Sequence, residues 1–133
     1  LEALSRDKVD FTLFFRRLSN AQFEGEGEAA VRAMFADAAH FDEWLTRWRL
    51  RLQFEPFDAE GRAAAMRAVN PAFIPRNHRV EAMIRAAVER EDFAQFEELL
   101  TVLSRPFDDQ PEFLQYQDPP LKEERVLATF CGT

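Results

Sequence analysis

A compact basic cluster stands out in this acidic sequence. Arg76, His78 and Arg79 lie close together in a chain whose formal net charge is −7. Beside the start of a helix, such side chains and the outward-pointing backbone N–H groups can bind an anion. The alternative is structural: Arg76 pairs with a buried carboxylate, and His78 donates to a carbonyl. Asn70 and Asn77 then satisfy backbone groups of the same corner. We favour the structural interpretation and keep the anion contact as the alternative.

The other signs of catalysis are incomplete. His78-Arg79 is like the start of the His-Arg-Asp motif of protein kinases, but Val80 occupies the position of the acid. His40 and His78 lie far apart in the sequence, without metal-ligand spacing. We therefore find no catalytic residue in this segment, and we expect it to bind no metal and no cofactor.

The only cysteine, Cys131, lies close to the end of the sequence. A single thiol forms no disulfide within its own chain, and such a terminal thiol is usually incidental. An exposed terminal thiol can also exchange with a distant cysteine and act as a redox latch. Both interpretations stay open on the residues alone.

The elements that must position these side chains are helices. The chain has only four glycines, is 47% hydrophobic and 31% charged, and is rich in Ala, Leu, Arg and Glu. We predict an all-α fold, an irregular bundle of about five to six helices. Apolar residues at helical spacing predict four inward faces: Phe11, Phe14, Phe15 and Leu18; Phe41, Trp44, Leu45, Trp48 and Leu52; Val80, Met83, Ile84, Ala87 and Val88; Phe93, Phe96, Leu99, Leu100 and Leu103.

The basic cluster belongs to a corner between two of these helices, from Asn70 to Glu81. Pro71 and Pro75 push the residues before them out of the helical region, so Asn70 should be extended. Asn77 is then placed to cap the next helix with its side-chain oxygen. After Ser104 the chain becomes rich in proline but keeps Phe, Leu and Tyr. We expect residues 104–133 to form an ordered strap and tail on a single helical region, 1–133.

The net charge and the short apolar runs argue against nucleic acid and membrane as partners. The net charge of −7 argues against nucleic acid, which needs a basic face. No apolar run approaches the length that spans a membrane. The sequence begins with Leu1 instead of Met, so we expect it to be a fragment that lacks its natural N-terminus.

Four segments closely resemble the selenoprotein O family. The longest is Asn70-Pro-x-Phe-Ile-Pro-Arg-Asn-His-Arg-Val-Glu81, which is similar to the signature near the C-terminus of that family. The others are 9–12 (Val-Asp-Phe-Thr), 105–113 (Arg-Pro-Phe-Asp-x-Gln-Pro-Glu-Phe) and 130–133 (Phe-Cys-Gly-Thr). The resemblance covers nearly the whole chain.

The resemblance implies the C-terminal region of an enzyme with a protein-kinase-like (pseudokinase) fold. Such an enzyme transfers AMP from ATP to Ser, Thr or Tyr hydroxyls of other proteins, and its ATP and magnesium ligands lie upstream of this segment. Cys131 matches a redox-active terminal cysteine of the family that is thought to pair with a cysteine in the catalytic core. Ala128, three residues before Cys131, offers no second thiol. A redox pair of two neighbouring thiols in the tail is therefore excluded.

Two hypotheses follow for the segment. In the first it buttresses an upstream kinase-like domain of the same chain and carries Cys131 as a redox switch, in an enzyme that acts on protein substrates. We expect that enzyme in the cytoplasm, or in mitochondria if the source is eukaryotic. In the second the segment is a free-standing helical module that binds other proteins and has no catalytic activity.

Overall fold

Helices account for all the regular structure in the described part of the chain. The computed structural model describes residues 1–21 and 25–126, and these contain seven α-helices, two 3-10 helices and no strand. The all-α prediction is confirmed. With the short α1, the number of α-helices in the described part exceeds the expected five to six. The α-helices are α1 (Glu2–Arg6), α2 (Phe11–Leu18), α3 (Glu26–Arg32), α4 (Ala38–Leu52), α5 (Ala59–Val69), α6 (Asn77–Arg90) and α7 (Ala94–Leu103). The 3-10 helices are Pro111–Tyr116 and Lys122–Glu124.

The chain divides into two compact units, Leu1–Pro71 and Ala72–Thr133. The first contains α1 to α5. The second contains α6, α7 and both 3-10 helices. The boundary falls inside the corner that the sequence singles out, directly after Pro71.

Aspartate side chains start most of the longer helices. Asp10, Asp37 and Asp58 accept hydrogen bonds from the backbone N–H groups of Leu13 (2.9 Å), Ala39 (3.0 Å) and Gly61 (2.8 Å). Each carboxylate satisfies a donor that the first helical turn leaves without an intrahelical partner.

The core of the first unit is aromatic. Phe14 and Phe35 pack edge to face with ring centroids 5.9 Å apart, and Phe41 lies 5.3 Å from Phe35. Trp44 and Trp48 stack at 5.3 Å, and both are partly buried against this cluster. The two tryptophans therefore pack on the core, as their helical spacing predicts.

One detail of the first unit differs from the sequence expectation. Phe11 was expected to face inward, yet 60% of it is exposed, and Leu13 is buried instead. The helix α3 is short: it ends at Arg32, and Asp37 starts α4. Gly27 belongs to the first turn of α3. A Cβ there would lie 2.3 Å from the Asn20 carbonyl oxygen, so only glycine allows this approach.

The described residues of the second unit form a smaller core. This cluster consists of the buried Ala72, Phe73, Leu99, Val102 and Tyr116, with Val80, Leu103 and Phe113 packed against them. The helices α6 and α7 contact each other.

The inward faces predicted for α6 and α7 are partly wrong. Ile84 and Val88 of α6 are exposed, and so are Phe93, Phe96 and Leu100 beside and within α7. The positions buried in these helices include the small Ala86 and, in α7, Leu99 and Val102. Helical spacing alone identifies an apolar stripe but does not say whether that stripe faces the unit's own core.

The proline-rich segment packs against the other residues of the second unit over much of its described length. The Pro106 carbonyl accepts from the N–H groups of Ala72 (2.7 Å) and Phe73 (3.1 Å). The buried Gln110 donates to the carbonyls of Val102 (3.0 Å) and Arg105 (2.9 Å). Residues 127–133 lie outside the described part, so the ordered strap and tail over 104–133 stays a prediction.

Candidate functional site

The N-terminal side of the corner is fixed by Asn70. It is extended, at φ −110° and ψ 107°, as a residue before proline should be. Its side-chain amide donates to the Met66 carbonyl at 2.8 Å and so closes the end of α5. The buried Arg16 of α2 donates from Nη1 to the carbonyls of Asn70 and Arg67, each at 3.1 Å. Asn70 thus satisfies backbone groups, as the structural interpretation requires.

Asn77 does not cap α6, and this prediction was wrong. The residue that precedes the helix is Arg76, which is extended at φ −67° and ψ 126°, and Asn77 is the first helical residue. The Arg76 carbonyl accepts from the N–H groups of Arg79 (2.9 Å) and Val80 (3.0 Å). No side chain in the described part of the protein caps the N-terminus of α6, and no acid lies in its first turn.

Both arginines of the cluster donate to carbonyls of the proline-rich segment. Arg76, which is buried, donates from Nη2 to the Gln117 carbonyl at 2.8 Å. Arg79 donates from Nη2 to the Gln115 carbonyl, also at 2.8 Å. Charged donors of this kind stabilise by about 1.5–3 kcal/mol each when they are shielded from water. The start of α6 is thereby fastened to residues 115–117.

Tyr116 lies between these two attachments. The Arg79 guanidinium carbon is 5.8 Å from the centre of the Tyr116 ring, within the range of a cation–π contact. The Tyr116 hydroxyl donates to Glu98 Oε2 of α7 at 2.5 Å. Burial, together with this hydrogen bond, raises the pKa of Tyr116 to about 12. Tyr116 therefore stays protonated and joins the segment to α7.

A pocket of about 280 Å³ opens beside this arrangement. Its polar lining comes from Arg79, Gln95, Glu98, Gln115 and Tyr116. Arg79 contributes a positive charge and Glu98 a negative one, and each already has a hydrogen-bond partner within the unit.

His78 is the unusual member of the cluster. Only 8% of it is exposed, and neither ring nitrogen has a hydrogen-bond partner among the described residues. The expected bond to a carbonyl is therefore absent from the described part of the chain. Burial lowers the pKa of His78, and so does the charge of Arg79, while Glu124 and Asp118 oppose the shift. A neutral imidazole suits this position, because a charge there would be poorly solvated.

A second constellation escaped the sequence reasoning. His40 Nδ1 lies 2.7 Å from Asp7 Oδ2, and Arg6 Nη1 lies 2.9 Å from His40 Nε2. Arginine can only donate, so Nε2 accepts and Nδ1 carries the proton that it donates to Asp7. The hydrogen bond from His40 holds the pKa of Asp7 below its usual value.

This trio has the composition of an acid–base pair, but its geometry is that of a tie. The nitrogen that would act as the base is already occupied by Arg6. The contacts join the end of α1 to the start of α4, because Asp7 also accepts from the Asp37 N–H at 3.3 Å. His40 lies more than 30 positions from Asp7 and Arg6 in the sequence, so no local sequence pattern indicated this trio.

The described residues lack two further features. They hold no group of three or more His, Cys, Asp or Glu placed to bind a metal ion. Within residues 1–21 and 25–126, no helix is both long and apolar enough to cross a membrane. Cys131 lies outside these residues.

Known proteins resemble the chain along its full length. A family model described as protein adenylyltransferase SelO matches residues 1–104. Three curated relatives carry the name protein nucleotidyltransferase YdiU. One from Rhodopseudomonas palustris is 60% identical over 100% of this chain and 27% of its own length. One from Bradyrhizobium sp. is 62% identical over 99% and 27%, and one from Methylorubrum populi is 58% identical over 100% and 28%. The chain thus spans little more than a quarter of the relatives it matches.

Proposed function

The chain belongs to the protein adenylyltransferase SelO family, and we propose that it is the C-terminal helical region of an enzyme that transfers AMP from ATP to Ser, Thr or Tyr hydroxyls of proteins. The observation that carries this proposal is the family match over residues 1–104. The names of the relatives, which describe protein nucleotidyltransferases, support it. The relatives are bacterial, in keeping with a cytoplasmic enzyme.

We assign the ATP and magnesium ligands to the upstream part of the enzyme, as the family resemblance implies. Within this segment, two of the side chains that could suggest catalysis have structural partners. Arg79 is bound to the Gln115 carbonyl, and His40 is held between Asp7 and Arg6. These contacts support an architectural role for the segment, namely to buttress the kinase-like domain in cis.

The corner residues Asn70, Arg76, Asn77, His78 and Arg79 are assigned to that architecture. Asn70 closes α5, while Arg76 and Arg79 fasten the start of α6 to the proline-rich segment. The uncapped N-terminus of α6 leaves an anion contact as the alternative use of this cluster.

Cys131 is assigned a redox-regulatory role by the family resemblance alone. In the full-length enzyme we expect it to form a disulfide with a cysteine upstream under oxidising conditions. Non-reducing peptide mapping should recover that cross-link. A Cys131 that stays open to alkylation under the same conditions would remove the redox role.

Labelled ATP tests the proposed activity. The full-length protein, incubated with a protein acceptor, magnesium and ATP labelled at the α-phosphate, should transfer label to the acceptor. ATP labelled at the γ-phosphate should transfer none, because the terminal phosphates leave as pyrophosphate. Transfer of the γ-label would indicate a kinase instead. No transfer of either label would favour the free-standing interaction module.

A further inference from the structure

The second unit exposes apolar side chains on and beside α6 and α7 instead of burying them in its own core. Ile84 and Val88 of α6 are 46% and 78% exposed. Phe93, just before α7, and Phe96 and Leu100 within it are 47–60% exposed. We call these five residues the α6–α7 apolar face.

The two parts of this face follow the helical repeat. Ile84 and Val88 are four positions apart, and Phe93, Phe96 and Leu100 follow at intervals of three and four, so each set lies along one side of its helix. The core of the unit is served by other positions, namely Ala86, Leu99 and Val102. Both helices therefore carry a second apolar stripe besides the one that the unit buries.

Several exposed residues near the stripes are charged, namely Arg85 and Glu89 on α6 and Glu97 on α7. Apolar side chains surrounded by charged ones form the usual pattern of a protein–protein interface. Single exposed apolar residues need no explanation, but an aligned set that includes two phenylalanines does.

We propose that the α6–α7 apolar face is the surface through which this segment docks onto the remainder of its own polypeptide. The occupant is identified by what lies outside the segment. The chain spans 27% of the curated relatives that it matches, so most of each relative is available to cover this face in cis. A covalently attached partner is present at high effective concentration, so docking in cis needs no large affinity.

A second copy of the chain is the less suitable occupant. Each copy has a formal net charge of −7, and like charges oppose the close approach of two identical surfaces. The docking proposal rests on the proposed function only in taking the segment to be part of a longer protein.

Thiol labelling of the full-length protein tests the docking. Four variants each carry one new cysteine: Val88→Cys and Leu100→Cys on the face, with Glu89→Cys and Thr101→Cys as controls. Both control positions are exposed in the described unit, and each lies about 100° around its helix from the neighbouring test position. Peptide mapping separates the new thiols from native ones.

The expected result is that Val88→Cys and Leu100→Cys react at least about tenfold more slowly than the controls, because a covered thiol reacts only through local opening. Equal rates at all four positions would overturn the proposal. Protection that disappears on dilution would also overturn it, because the cover would then be a second copy.

A measurement without substitutions guards against variants that fold poorly. Hydroxyl-radical oxidation of Phe93 and Phe96 in the unaltered full-length protein should be slow and should rise when denaturant is added. Fast oxidation under native conditions would contradict the proposal. Neither readout depends on AMP transfer. A protected face in a protein without that activity would refute the proposed function alone, whereas a reactive face in an active enzyme would refute the docking alone.

Discussion

The two compact units are held together in different ways. The unit Leu1–Pro71 is stabilised by an aromatic core in which Phe35 contacts both Phe14 and Phe41. Few large side chains are buried among the described residues of the unit Ala72–Thr133, and hydrogen bonds from side chains to carbonyls fasten its proline-rich segment. It also exposes the α6–α7 apolar face.

This difference indicates how each unit depends on its surroundings. Burial of large apolar side chains stabilises a unit by itself, because the area removed from water lies inside it. Exposed apolar side chains contribute to stability only when something covers them. Both units expose such side chains, but the described residues of the second unit form the smaller core, so its stability should change more between the segment and the intact protein.

The largest effect should come from the aromatic core of the first unit. Phe41 is fully buried, so Phe41→Ala should lower the free energy of unfolding by about 3–5 kcal/mol, through lost burial and the cavity that remains. Denaturant titration followed by the fluorescence of Trp44 and Trp48 measures this unit. The matched control is Phe54→Ala. Phe54 is 89% exposed, so this change should cost no more than about 0.5 kcal/mol. Equal losses for both variants would refute the core assignment.

In the second unit the largest polar effect should come from Arg76. Arg76→Ala removes the partly buried bond to the Gln117 carbonyl and should cost about 1.5–3 kcal/mol. Hydrogen exchange of peptides from α6 and α7 measures the loss in that unit. Arg85→Ala, an exposed position on the same helix, should leave exchange nearly unchanged. Similar exchange in the two variants would mean that the Arg76 bond does not support the unit.

Acid should weaken the second unit through His78. Its pKa is lowered in the folded state, so the unfolded chain binds more protons and stability rises with pH. The full contribution is present above the unfolded pKa of about 6.5 and is lost as pH falls from there toward the lowered folded value. Hydrogen exchange of α6 between pH 5 and 8, corrected for intrinsic rates, should show this slope. His78→Gln should reduce it, and an unchanged slope in that variant would assign the effect to other groups.

The smallest effect should come from the Tyr116 hydroxyl. Tyr116→Phe removes the hydrogen bond to Glu98 and should cost about 1 kcal/mol. The difference in tyrosinate absorbance between the parent protein and this variant isolates the ionisation of Tyr116. That ionisation should occur near the raised pKa of about 12. An ionisation near the ordinary value of 10 would show that the hydroxyl is neither buried nor bonded.

The sequence predicts local structure better than it predicts which surfaces are covered. The helices and the extended Asn70 follow from residue types and spacing, because they depend on nearby residues. The exposure of Val88 and Leu100 could not be predicted, because helical spacing shows a stripe but not its partner. Asn77 failed as a cap because α6 begins at Asn77 itself, one residue earlier than a cap at that position would require.

The candidate site was predicted in its residues and not in its contacts. The basic cluster was recognised from charge, but the bonds of Arg76 and Arg79 to the carbonyls of Gln117 and Gln115, 41 and 36 positions away, were not predicted. The tie between Asp7 and His40 was missed for the same reason. Such contacts are set by tertiary packing, and a single sequence carries no local pattern for them.

The central claim is that the corner is architectural in an enzyme whose chemistry lies elsewhere, and AMP transfer by the full-length Arg76→Ala variant tests it most directly. The rate per folded molecule should match that of the parent protein and of Arg85→Ala, while the stability of the second unit falls. A loss of AMP transfer in Arg76→Ala with unchanged stability would contradict the claim and place the corner in the catalytic site.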